Sequence, residues 1–111
     1  MSKKIESSFI NTDLKSEYEN LNEGKFEDRQ LHKFITRALH DLEKNPFSGV
    51  RVPKKLWPDV YIRKYEITNL WKYNLPNGWR LTYTIESSDV KIMSIILEWF
   101  NHKEYEKRFK Y

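Results

Sequence analysis

Residues 70–85, Leu-Trp-Lys-Tyr-Asn-Leu-Pro-Asn-Gly-Trp-Arg-Leu-Thr-Tyr-Thr-Ile, constrain this chain more than any other stretch, because they specify a hairpin, its register and two chemically different faces. Pro76-Asn77-Gly78 between two aromatic and β-branched runs suits a type I turn followed by a glycine in the left-handed region, a common three-residue hairpin loop. That loop pairs Leu75 with Trp79. Counting outwards, Asn74 faces Arg80, Tyr73 faces Leu81, Lys72 faces Thr82 and Trp71 faces Tyr83, and side chains alternate with period two. One face then carries Trp71, Tyr73, Leu75, Trp79, Leu81, Tyr83 and Ile85, and the other Lys72, Asn74, Arg80, Thr82 and Thr84. A one-residue slip would bury Arg80, so the register is strongly specified. By this alternation Trp71, Trp79 and Tyr83 are core, and a cationic, hydrogen-bonding strip lies behind them.

A length of 111 residues allows one domain, residues 1–111, with a core large enough to need neither disulfide nor metal. There is no cysteine, and His32, His40 and His102 lack zinc-ligand spacing, so no metal or other cofactor is expected. Lys and Arg number 20 against 16 Asp and Glu, an excess of four that makes a polyanion a reasonable partner without compelling one. The first residues lack the apolar segment of a signal peptide, and the most apolar run, 92–100, is interrupted by Ser94 and Glu98. A soluble, cytoplasmic protein with no membrane partner is expected.

Residues 3–10 end in Phe9-Ile10 and read as a short edge strand. Asn11, Thr12 or Asp13 then caps a helix carrying Leu14, Tyr18 and Leu21, with Gly24 placed to end it. A longer helix follows, with Leu31, Phe34, Ile35, Ala38, Leu39 and Leu42 at intervals of three and four, Glu27 and Asp28 at its start and Lys44 near its end. His32 and His40 fall off its apolar stripe and read as surface residues. The brief link makes the two helices an antiparallel hairpin covering one sheet face. Residues 46–59 form a loop with basic character through Arg51, Lys54 and Lys55, and Pro58 opens a short helix through Tyr65, although residues 60–67 also tolerate an extended reading. After the hairpin, residues 90–100 are apolar on both faces and read as a central strand buried from both sides. Asn101 caps a short terminal helix.

The order helix hairpin, three antiparallel strands, short basic tail, together with Trp-Arg-Leu-Thr-Tyr-Thr-Ile and the later His-Lys-Glu-Tyr-Glu-Lys, resembles the RelE/ParE superfamily of type II toxin-antitoxin toxins. The likeness is strongest over residues 70–109 and elsewhere rests on element order. It implies a small RelE-like α+β fold: an N-terminal helix hairpin packed on an antiparallel-rich twisted sheet, with a short C-terminal helix. It also implies a toxin bound by an antitoxin through an acidic segment, and a sheet face that cleaves mRNA on the ribosome. In the ParE branch the corresponding surface inhibits DNA gyrase, and an inactive domain that only binds antitoxin is a third possibility. Arg80 matches the arginine that RNA-cleaving members place on the scissile phosphate. His102 resembles the C-terminal catalytic histidine of RelE-like and HigB-like members, and Tyr105 falls where tyrosine is common. Asn74 stands where RelE itself has a second lysine beside the position of Lys72, one cation fewer.

The resemblance implies a metal-independent endoribonuclease in which a ribose 2′-hydroxyl attacks the adjacent phosphate, a reaction that needs a proton acceptor, a proton donor and cations around the developing phosphorane. Arg80 offers a fork for phosphate oxygens and Lys72 a point charge, although both also suit an ordinary solvated sheet face. Histidine titrates near neutrality as a residue type, which suits His102 to acid or base work; surface filler is the plainer alternative. Glu98 either serves as a base beside His102 or pairs with an arginine. Tyr105 and Tyr111 either stack an unpaired base or donate a proton, with Tyr105 assisting catalysis, or, for Tyr105, pack the terminal helix down. Asn74, Thr82, Arg51, Lys54, Lys55 and Lys103 complete the expected RNA-binding set.

Overall fold

The computed structural model describes residues 3–109. Five strands form one mixed sheet in the order β1-β5-β4-β3-β2: β1 (Lys4–Phe9), β2 (Val50–Arg51), β3 (Trp71–Asn74), β4 (Arg80–Ser87) and β5 (Lys91–Phe100). β1 runs parallel to β5 and every other neighbour is antiparallel. The helices are α1 (Thr12–Leu21), α2 (Phe26–Lys44), α3 (Asp59–Tyr65) and α4 (His102–Phe109), completing an α+β fold. No described helix is long and apolar enough to cross a membrane.

The hairpin adopts the expected register throughout: Trp71 faces Tyr83, Lys72 faces Thr82, Tyr73 faces Leu81 and Asn74 faces Arg80. Leu75 N donates to Trp79 O at 2.8 Å, closing the pair nearest the turn. Within the turn both Asn77 (φ 60°) and Gly78 (φ 78°) are left-handed, so the loop departs from the expected type I turn, in which only the glycine would be left-handed. Asparagine tolerates that region because its short amide can bond locally.

All seven residues of the expected apolar face pack in one core with Leu31, Ile35, Ala38 and Leu42 of α2 and Ile96 of β5. Phe34 and Leu39 border it from the same helix. Asn11 caps α1 by accepting from Leu14 N at 2.8 Å. That helix ends at Leu21 with Asn22 in the right-handed region, so Gly24 does not stop it. Gly24 instead makes room for the start of α2, since a Cβ there would fall 2.4 Å from Asp28 Oδ2. His32 departs from its expected surface position: it is half-buried and stacked on Tyr18, with ring centroids 4.4 Å apart, in the seam between the two helices. His40 is exposed. The expected loop 46–59 contains two short 3₁₀ turns and β2, which pairs with only Trp71 and Lys72 of β3.

A second core fills the opposite sheet face, joining Val52, Tyr61, Leu70, Leu97, Phe100, Tyr105 and Phe109. It is built by α3 and α4 and explains why β5 is apolar on both sides. A bulge serves it: Thr82 faces Glu98 while Tyr83 faces Ile96, leaving Leu97 as the extra residue. Side-chain parity therefore changes within β5, so that Leu97 and Glu98 both turn to the α4 side. Glu98 there accepts from Arg108 Nη2 at 3.1 Å. Ser94, also fully buried, has no hydrogen-bond partner for its hydroxyl among the described residues.

Candidate functional site

Where β3 and β4 meet at the hairpin turn, Arg80 and Lys72 emerge on the face opposite Trp71 and Trp79, as their register requires. Both lie over one ring. The Arg80 guanidinium is 4.9 Å and the Lys72 ammonium 5.5 Å from the centroid of Tyr105. That ring is itself fixed: Tyr105 is 2 % exposed, stacks on Phe109 at 4.5 Å and meets Phe100 edge-on at 6.3 Å. A cation over an aromatic face is attracted by the ring quadrupole, so Tyr105 gives two like charges a shared support. Arg80 is anchored further by donating from Nη1 to Gly78 O at 2.7 Å.

His102 stands against the same glycine, for a Cβ on Gly78 would lie 3.6 Å from His102 Cβ. It opens α4, whose start is held by a reciprocal pair: Glu104 N donates to Asn101 Oδ1 at 2.8 Å and Asn101 N donates to Glu104 Oε1 at 3.0 Å. The His102 side chain is 62 % exposed, and its Nε2 contacts the Glu106 carboxylate one turn on. The hairpin and α4 thus bring Arg80, Lys72 and Tyr105 together, with His102 against the turn glycine and its ring engaged by Glu106. Sequence reading missed Glu106, although a Glu four residues after a His on a helix was a visible signal.

The other expected residues divide. Asn74 is exposed beside Arg80, and Lys103 is exposed on the first turn of α4. Thr82 is corrected: it has no exposed surface, because α3 lies over it and Tyr61 Oη meets its hydroxyl at 2.9 Å. Thr84 is likewise buried, donating to Asn69 O at 2.7 Å. Only the turn end of the polar strip remains open. Arg51 pairs with Trp71, which places it on the α2 side of the sheet and away from Lys72 and Arg80. Lys54 lies 6.0 Å from the centroid of Trp57, with exposed Lys55 beside it in the same 3₁₀ turn. Glu98 takes its arginine-pairing alternative, with Arg108 rather than His102 as partner. For Tyr105, helix packing describes its position. Tyr111 lies outside the described residues.

Burial and the nearby charge of Glu98 push the Tyr61 hydroxyl far above its ordinary range, so it stays protonated as partner to Thr82. No group of three or more His, Asp or Glu side chains able to hold a metal ion occurs among the described residues. Comparison of the chain with protein-family models, with curated proteins and with solved structures finds no match.

Proposed function

We propose that this protein is the toxin of a type II toxin-antitoxin system, a ribosome-associated endoribonuclease that cleaves mRNA. The observation that carries the reading is the pair of cations held over the buried Tyr105 ring beside an accessible histidine. Arg80 and Lys72 bind the two non-bridging oxygens of a phosphodiester and stabilise the phosphorane that forms when the 2′-oxygen attacks. His102 takes the 2′-hydroxyl proton, and Glu106 stabilises the resulting imidazolium. The new bond joins the 2′-oxygen to phosphorus. The bond from phosphorus to the 5′-oxygen breaks, that oxygen takes a proton from water, and the products are a 2′,3′-cyclic phosphate and a 5′-hydroxyl. An antitoxin with an acidic segment over Arg80 and Lys72 blocks this surface.

The test is primer extension on translated message in cells expressing the wild type, Arg80→Ala or His102→Ala. The wild type should arrest growth and cut message. Loss of a preorganised donor should lower cleavage about a hundredfold or more, while the Arg80 variant should stay folded, losing about 1–2 kcal/mol for its contacts with the Tyr105 ring and Gly78 O. Intact message with falling DNA supercoiling would replace this reading with a ParE-like gyrase inhibitor.

A further inference from the structure

We infer that the groove beyond the free edge of β3 is a subsite for a nucleotide flanking the scissile phosphate. The inference rests on the ribonuclease reading and extends it to residues outside the Arg80 cluster. β2 covers β3 only at Trp71 and Lys72, so the strand edge at Asn74 is open. A cavity of about 430 Å³ lies there between β3, the end of α2 and the segment before β2. Its walls include Lys72, Asn74, Asp41, Lys44, Ser48 and Gly49. That volume is within the range of about 300–1,000 Å³ common for small-molecule sites.

Two of those walls are already part of the candidate site. Lys72 lines the groove and also lies over Tyr105, and Asn74 is the cross-strand partner of Arg80, about 5 Å away by strand geometry. A single strand whose phosphate sits on Arg80 and Lys72 therefore passes into the groove within one step of its backbone. The charges order it. Lys44 favours the next phosphate at its end, whereas the Asp41 carboxylate, which accepts from Tyr73 Oη, repels it. The base is left to the Asp41 and Asn74 side, where a carboxylate and an amide can bond to its edge.

The outer wall is held in place. Tyr83 Oη accepts from Gly49 N at 3.1 Å and donates to Pro46 O at 2.8 Å. A Cβ on Gly49 would fall 2.5 Å from that hydroxyl and 2.6 Å from Lys72 O, so the backbone approaches β3 as closely as glycine allows. The groove is thus formed before any ligand enters.

The test measures binding of uniformly 2′-O-methylated oligoribonucleotides, which cannot be cleaved, to the full chain by NMR titration and fluorescence anisotropy. Dinucleotides offer one phosphodiester and tetranucleotides add flanking units. Lys44→Glu should weaken tetranucleotide binding roughly tenfold, the loss of one charge-assisted contact, and leave dinucleotide binding within about twofold. Lys15→Glu, an equal charge change on exposed α1, controls for overall charge, and Arg80→Ala should weaken both lengths. If Lys44→Glu matches Lys15→Glu at both lengths while Arg80→Ala still weakens binding, the subsite is overturned and the ribonuclease reading stands. If the wild type binds neither length, both fall together.

Discussion

Tyr61 and Thr82 meet through their hydroxyls at 2.9 Å in a layer where neither residue has any exposed surface. Thr82 Oγ1 also reaches Glu98 O at 3.4 Å, so this contact ties α3 to both central strands. A polar residue in the middle of the sheet is thereby made compatible with a second core. Tyr61→Phe keeps the ring and removes the hydroxyl. It should destabilise the fold by about 1 kcal/mol, the usual net loss for one such bond, measured as a shift in the urea midpoint at constant slope. Thr82→Val should cost a similar amount, and the double variant should cost less than the sum because the two act on one contact.

Tyr105 is expected to act through its ring. Tyr105→Leu keeps a bulky apolar group against Phe109 but removes the face on which Arg80 and Lys72 rest. Cleavage of message should fall at least tenfold, with affinity for phosphodiesters falling alongside it, since a stacked cation contributes about 0.5–2 kcal/mol and two are lost. Tyr105→Phe retains that face and should retain most activity. If Tyr105→Phe is as inactive as Arg80→Ala while folded, the phenol takes part in the chemistry directly.

Burial holds the Tyr73 and Tyr83 hydroxyls up at about 12, against 10 for a free tyrosine; the Asp41 partner adds to the effect at Tyr73. The folded state therefore keeps protons that the unfolded chain releases. Stability from these groups is full below about pH 10 and is lost as pH rises toward 12. Urea midpoints taken at intervals across that window should fall for the wild type. Tyr73→Phe and Tyr83→Phe should start lower at neutral pH, having lost hydrogen bonds, but decline less steeply. Equal slopes in all three would contradict the assignment.

Gly78 carries a left-handed backbone, bonds Arg80 through its carbonyl and stands against His102. Gly78→Ala should destabilise the protein by about 1–2 kcal/mol from the backbone alone. It should also lower cleavage more than that loss explains, because it disturbs the joint between Arg80 and His102. Comparing activity at a temperature where both proteins remain folded separates the two effects.

The hairpin was legible because alternation, a turn-forming triplet and an arginine that resists burial all demand one register. The apolar stripe of α2 was legible from its own spacing. The fate of the polar strip was harder to read, since Thr82 and Thr84 look the same in sequence whether they face water or a buried partner. The clue lay in β5: Leu97 and Phe100 require a cover on the same side as Thr82. Parity also settled Arg51. A basic residue near the hairpin in sequence was placed on the α2 side by two residues of strand pairing that composition does not reveal. The groove before β2 depends on Gly49 fitting under Tyr83, a contact between positions 34 residues apart.

β1 and β5 lie side by side although one comes from the start of the chain and the other from near its end. During synthesis Lys4–Phe9 has no strand to join until residues 91–100 have left the ribosome. Everything between them, including the helix hairpin and β3–β4, can assemble first through shorter loops. The parallel pairing is then the clasp that closes the sheet last, and its Lys4, Glu6 and Lys91 charges give it an ionic element where it meets solvent. A nascent chain released before residue 91 would retain the cationic hairpin but lack the helix that supports Arg80 and Lys72. The support beneath Arg80 and Lys72 and the finished sheet therefore come into being together.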